Sequence, residues 1–256
     1  MEKDIIKMKY ESHIEQDFFT KRMNWPETDK EVHVTDWENI LATNKEIPDL
    51  TGKDGIIGID YASISDFASA GVLIKEKGTW YWISHSWVCT QSKDINRLKI
   101  PWRDWTNEGH LTIVDDVEIS PQLIIDWIEM QGRKYNLQKI AMDNFRYSLF
   151  INGLSELGFS WKEHKNIKLI RPTDIMKVSP VIESCFANQS IVWGDNPLMR
   201  WYTNNTKMIR TGVNKEMGNM TYGKIEPKSR KTDGFMAFVA AMCVSHELQE
   251  TEEPVS

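Results

Sequence analysis

Hydrophobic and polar positions change their rhythm sharply along this chain. Residues 1–50 are polar and poor in strand signals. Short helices are expected over 11–23 and 34–43, the first closed by Asn24-Trp25-Pro26, because a residue before proline disfavours helical backbone. Ile47-Pro48-Asp49-Leu50-Thr51-Gly52 then reads as entry to a domain. From Gly55 the pattern turns to strands, expected over 56–60, 70–75 and 80–88, with Lys77-Gly78 as a hairpin turn. This is an antiparallel meander. Residues 89–109 form a polar excursion, and 111–114 a short strand. Ser120-Pro121 opens a helix, with a capping hydroxyl before proline at the first helical position. Ile124, Trp127, Ile128 and Tyr135 continue it at helical spacing. The strand over 138–143 follows that helix, so the simplest arrangement is parallel to an earlier strand.

Further on, 144–157 reads as one helix stopped at Gly158. A strand is expected over 167–170, then a helix after Arg171-Pro172 that Pro180 interrupts, a short extended piece at 191–193 and a helix over 197–205. Residues 208–224 are punctuated by glycine as a hairpin or loop. The last element is a helix capped by Thr232 and starting at Asp233, with Phe235, Met236, Val239, Met242 and Cys243 on its apolar face.

Three carboxylates punctuate this pattern. Asp60 ends the first strand, Asp143 ends the strand after the crossover, and Asp233 begins the final helix. Each has a structural alternative: a turn residue, a helix entry, a partner for the helix dipole. If the two strands are parallel neighbours, Asp60 and Asp143 lie side by side, and a helix on that sheet brings Asp233 to the same end. Three anions at close range need cations. Oxygen ligands without His or Cys point to Mg²⁺ or Mn²⁺ over Zn²⁺. Two such ions can clamp the attacking and leaving oxygens of a phosphodiester, with Asp60 as the bridging ligand.

Composition changes the picture little. Hydrophobic residues at 41% and charged residues at 27% fit a globular protein of 256 residues. There is no apolar run long enough for a membrane, and no partner in a membrane is expected. Cys89, Cys185 and Cys243 show neither metal spacing nor an even disulfide framework. The net charge of −6 argues against binding nucleic acid through global charge, but leaves a local basic patch open. Lys224, Lys228, Arg230 and Lys231 form such a patch just before Asp233; they read either as contacts to DNA phosphates or as an ordinary solvated loop. Trp102-Arg103-Asp104-Trp105 reads as packing, or as a stacking surface.

The ordered set Gly58-Ile59-Asp60-Tyr61-Ala62 with Asp66 and Ala68, Ile140-Ala141-Met142-Asp143, Met199-Arg200-Trp201-Tyr202-Thr203-Asn204-Asn205, and Lys231-Thr232-Asp233-Gly234-Phe235-Met236-Ala237 resembles the RNase H-like nuclease domain of tailed-phage terminase large subunits. Asp17-Phe18-Phe19-Thr20-Lys21-Arg22-Met23-Asn24 resembles that family's connection between ATPase and nuclease. The resemblance covers residues 15–245. It implies an α/β fold with a mixed central sheet flanked by helices, made of a connecting segment over 1–52, a nuclease domain over 53–248 and an acidic tail over 249–256. It implies a metal-dependent endonuclease of the host bacterial cytoplasm that cuts concatemeric double-stranded viral DNA, with Asp60, Asp143 and Asp233 as catalytic metal ligands for two ions. The implied partners are the ATPase domain, the small terminase subunit and the portal protein. That family's ATPase needs a phosphate loop; Gly218-Asn219-Met220-Thr221-Tyr222-Gly223-Lys224 has its spacing, but Ile225 stands where Ser or Thr should hold Mg²⁺. The motor is therefore expected to lie outside this chain, as in a truncated product, a split product or a fragment of a longer protein. Two other readings compete: another RNase H-like enzyme of resolvase or transposase type, and a non-catalytic domain docking to portal or small terminase.

Overall fold

In the computed structural model, residues 33–63, 67–92, 97–98, 100–211, 219–226 and 230–248 are described. The expected helix at 11–23, the segment resembling the ATPase connection, Asp66, Lys228 and the acidic tail lie outside them. The described residues belong to one compact unit that begins at His33.

The strands, in chain order, are β1 (Asp54–Asp60), β2 (Ala68–Glu76), β3 (Thr79–Cys89), β4 (Leu111–Val114), β5 (Asn136–Asp143), β6 (Ile167–Ile170) and β7 (Ile191–Val192). They form one sheet in the order β4-β3-β2-β1-β5-β6, with β7 also paired to β3. The meander β1-β2-β3 is antiparallel. Helical crossovers make β4, β5, β6 and β7 parallel to their neighbours. A separate hairpin joins β8 (Thr206–Thr211) and β9 (Asn219–Lys224). Residues 219–224, which carry the phosphate-loop spacing, are thus a strand.

The helices are α1 (Trp37–Leu41), α2 (Trp102–Asn107), α3 (Pro121–Gly132), α4 (Ile151–Glu156), α5 (Pro172–Ala187), α6 (Pro197–Asn204) and α7 (Asp233–Met242). The Ser120 hydroxyl accepts from Gln122 N–H at the start of α3, as its sequence implies. Asp174 accepts from Arg171 N–H at 2.9 Å and closes the first turn of α5. That helix runs unbroken through Pro180, where an interruption was expected. Residues 144–157 differ more. A turn and a 3₁₀ segment at Tyr147–Leu149 precede α4, in place of one long helix. The Asp143 side chain diverts the backbone there, as described below.

Period-two alternation sorts each strand between two cores. Ile57 and Ile59 of β1, with Ile140 and Met142 of β5, meet α3 and α4 on one face. Ile56 and Ala141 face the other side, with residues of α5, α6 and α7. Trp105 packs against Trp201, and Trp102 stacks on Phe67, so these tryptophans serve the core. Residues 33–52, read from sequence as part of the connecting segment, contribute buried Val34, Ile40 and Leu50.

On the second face α7 lies almost in contact with the backbone of β1. A Cβ on Gly58 would overlap the carbonyl oxygen of Ala237 and touch Ala241. Lys139, which pairs in register with Ile56, forms an ion pair with Glu247 just beyond α7. The helix therefore runs antiparallel to β1, with its N-terminus over the strand's C-terminal end. Gly58→Ala is expected to cost about 1–3 kcal/mol or more, because the obstacle is backbone and cannot rotate away. Urea unfolding measures this; an unchanged midpoint would contradict the close packing.

Candidate active site

The alternation that sends Ile57 and Ile59 to one core sends Gly58 and Asp60 to the other face. On β5, Ala141 and Asp143 share that face. Because Ile59 is in register with Met142, Asp60 and Asp143 end adjacent parallel strands side by side. Both line an open cleft of about 590 Å³, together with Tyr61, Phe145 and Arg146. Asp60 is half-buried and Asp143 exposed. Asp233 opens α7 at the same end of the same face and is 4% exposed. Thr232 takes the expected N-cap position, but its side chain makes no capping hydrogen bond.

The ends of both strands are held by specific contacts. Tyr61 donates its hydroxyl hydrogen to the carbonyl of Ile119 and meets the Phe150 ring edge-on, with centroids 5.0 Å apart. Burial, reinforced by Glu118 and opposed by Arg146, pushes the Tyr61 hydroxyl up to about 12, so it stays a neutral donor near neutral pH. Ile119 N–H in turn donates to Ser63 O at 2.7 Å. These bonds tie the chain after Asp60 to the segment before α3. After β5, the Phe145 N–H donates to Asp143 Oδ1 at 2.6 Å. One carboxylate oxygen of Asp143 thus closes a local turn and sets the path of residues 144–146.

A buried polar chain lies behind Asp60. Its neighbour in register on β2 is Ser69. The Ser69 and Ser86 hydroxyls are 2.8 Å apart, and Tyr202 Oη donates to Ser86 at 3.2 Å. The Tyr202 ring also occupies the space a Cβ on Gly234 would need. Only glycine allows Tyr202 to pack so closely beside Asp233. Asn205 Nδ2 donates to Lys231 O at 3.0 Å and holds the approach to α7. Tyr202 and Asn205 belong to the stretch quoted for the family resemblance; their contacts with the segment around Asp233 were not legible from spacing.

The expected basic patch divides in the structure. Lys224 is half-buried at the end of β9, and Lys228 lies outside the described residues. Arg230 and Lys231 are 9% and 4% exposed, which leaves them little surface for a phosphate. Arg146, which sequence reasoning passed over, lines the cleft. Its signal was a Phe-Arg pair two residues after a strand-ending acid.

The donor set suits a hard cation: the cleft offers carboxylate oxygens, and among the described residues no His or Cys lines it. Among the described residues no three His, Cys, Asp or Glu side chains stand close enough to enclose a metal ion. Asp60 and Asp143 share the cleft; α7 brings Asp233 to their end of the sheet without completing such a group.

A mixed sheet with its meander first, helices on both faces and acids at the ends of adjacent parallel strands defines an RNase H-like α/β fold. The family model for the terminase large subunit, endonuclease domain, matches residues 1–249, and the chain belongs to that family. The fold is similar to the large terminase of bacteriophage HK97, with a TM-score of 0.70 and 17% identity over 94% of this chain and 49% of that one. The chain thus spans about half the length of that terminase. It is also similar to the large terminase nuclease of thermophilic phage G20c, with a TM-score of 0.50 and 10% identity over 83% of this chain and 98% of that one. No curated protein sequence matches the chain.

Replacing Asn205 with Ala strands the buried Lys231 carbonyl. The expected loss is about 1–3 kcal/mol, read as a lower denaturation midpoint. An unchanged midpoint would remove Asn205 from the support of Asp233.

Proposed function

We propose that this domain is the metal-dependent endonuclease of a viral DNA-packaging terminase, cutting concatemeric double-stranded DNA in the host bacterial cytoplasm. The observation that carries the reading is the pairing of Asp60 and Asp143. They end adjacent parallel strands, on one face, in one cleft. Family membership supports the nuclease class and weighs against a resolvase or a transposase.

In this reading Asp60, Asp143 and Asp233 would hold two divalent ions, Mg²⁺ or Mn²⁺. Without a cation, like charges favour splayed side chains; a cation makes their approach favourable. Bound there, the ions supply an activated water and neutralise charge developing on the phosphodiester. Asp143 has one oxygen engaged by the Phe145 N–H, which limits the carboxylate's rotation. Tyr61 fixes the rim on which Asp60 stands. The close seat of α7 on Gly58 sets how far Asp233 can withdraw. Arg146, Lys224 and Lys228 meet DNA phosphates without reading sequence. Arg230 and Lys231 complete the proposed DNA-contact set. Buried as they are, they act chiefly by placing positive charge in the segment leading to Asp233. The ATPase part of the terminase, its small subunit and the portal are the proposed partners.

Asp60→Asn is expected to fold normally and to lose Mg²⁺- or Mn²⁺-dependent nicking of supercoiled plasmid. The loss should exceed the roughly 10–100-fold typical when a group supporting a metal ligand is removed. Nicking is followed after chelation and metal re-addition, with circular dichroism as the folding control. Undiminished nicking by the variant would refute the assignment.

A further inference from the structure

The turn after β5 presents an aromatic ring to water at the mouth of the cleft. Phe145 is 86% exposed, although five residues later Phe150 is fully buried against Tyr61. The core therefore takes Phe150 and leaves Phe145 outside. This exposure is not a loose end of chain. Its own N–H is bonded to Asp143 Oδ1, so the turn that engages a carboxylate also fixes the backbone from which the ring projects. Phe145 and the next residue, Arg146, line the same cleft as Asp60 and Asp143.

An occupant of this cleft must satisfy a cation and a flat apolar face side by side. Nucleic acid does so, because each phosphate neighbours a base. We propose that Phe145 stacks on a base at the step beside the scissile phosphate, while Arg146 contacts a flanking phosphate. This rests on the nuclease reading above. Stacking on an aromatic ring is tolerant of base identity, so Phe145 grips the DNA without dictating its sequence. Insertion at a base step unstacks it and bends the duplex, which bares the backbone to the carboxylates. Leu149 and Ile151, 51% and 43% exposed, are further apolar side chains a few residues on. A protein partner is the competing occupant.

The test uses the whole chain with Ca²⁺ in place of Mg²⁺ and duplexes carrying 2-aminopurine at successive positions. Wild-type protein should raise the fluorescence at one step, the step cut when Mg²⁺ or Mn²⁺ is supplied. Phe145→Ala should lose that signal and bind roughly 5- to 150-fold more weakly, the range expected for one base–aromatic stack. Phe145→Trp should retain both. Arg146→Ala should weaken binding to all sequences and reduce its salt dependence by about one phosphate contact. If wild type cuts DNA but Phe145→Ala matches it in affinity and fluorescence, the inference falls, the nuclease reading stands, and the ring belongs to a protein contact. If wild type does not cut with either metal, the nuclease reading fails and the inference falls with it.

Discussion

The contact between α7 and β1 at Gly58 is the constraint on which the rest depends. A helix normally rides on a sheet at the distance its side chains set. Here the absence of a Cβ lets the Ala237 carbonyl come down onto the strand. The gain is burial: Phe235, Ala237, Phe238, Val239 and Ala241 are all fully enclosed. The consequence is positional. A helix wedged this tightly cannot slide, so its first residue is held at the end of the sheet where Asp60 and Asp143 stand. Gly234 repeats the device one turn earlier, against Tyr202. Two glycines thereby convert apolar packing into placement of a charge.

Much of this arrangement was legible in the sequence because punctuation carried it. Ile56-Ile57-Gly58-Ile59 is apolar on both sides, as a strand covered on both faces must be, and its break at Asp60 marks a sheet edge. The helix between the meander and 138–143 dictated a parallel return, which put Asp143 beside Asp60. What stayed hidden was set by contacts distant in sequence. Residues 144–157 have helical composition, yet the Asp143 carboxylate captures the Phe145 N–H and delays the helix to Ile151. Pro180 carries a strong local signal for a break, but α5 continues through it, with Val178, Ile182 and Phe186 buried on its inner side. Lys231 reads as a surface cation, and burial overrides that. No periodicity marks the Ser69–Ser86–Tyr202 chain, whose members sit on three different elements.

Electrostatics link the fold to the proposed chemistry. Asp233 is buried on a helix N-terminus, Asp60 is half-buried and Asp143 is open. The three anions therefore pass from interior to solvent across one sheet end. In the proposed reading, the cleft's solvent side adds a phosphate contact at Arg146 and a stacking face at Phe145, on the rim that Tyr61 fixes.

In the proposed reading these three aspartates act as one cation site. Calorimetric titration of Mn²⁺ into the chain tests it most directly, because it reads binding without requiring catalysis or DNA. Wild-type protein should give a saturable binding heat that is lost in Asp60→Asn and in Asp143→Asn and weakened in Asp233→Asn. Identical binding curves for wild type and all three variants would contradict the account.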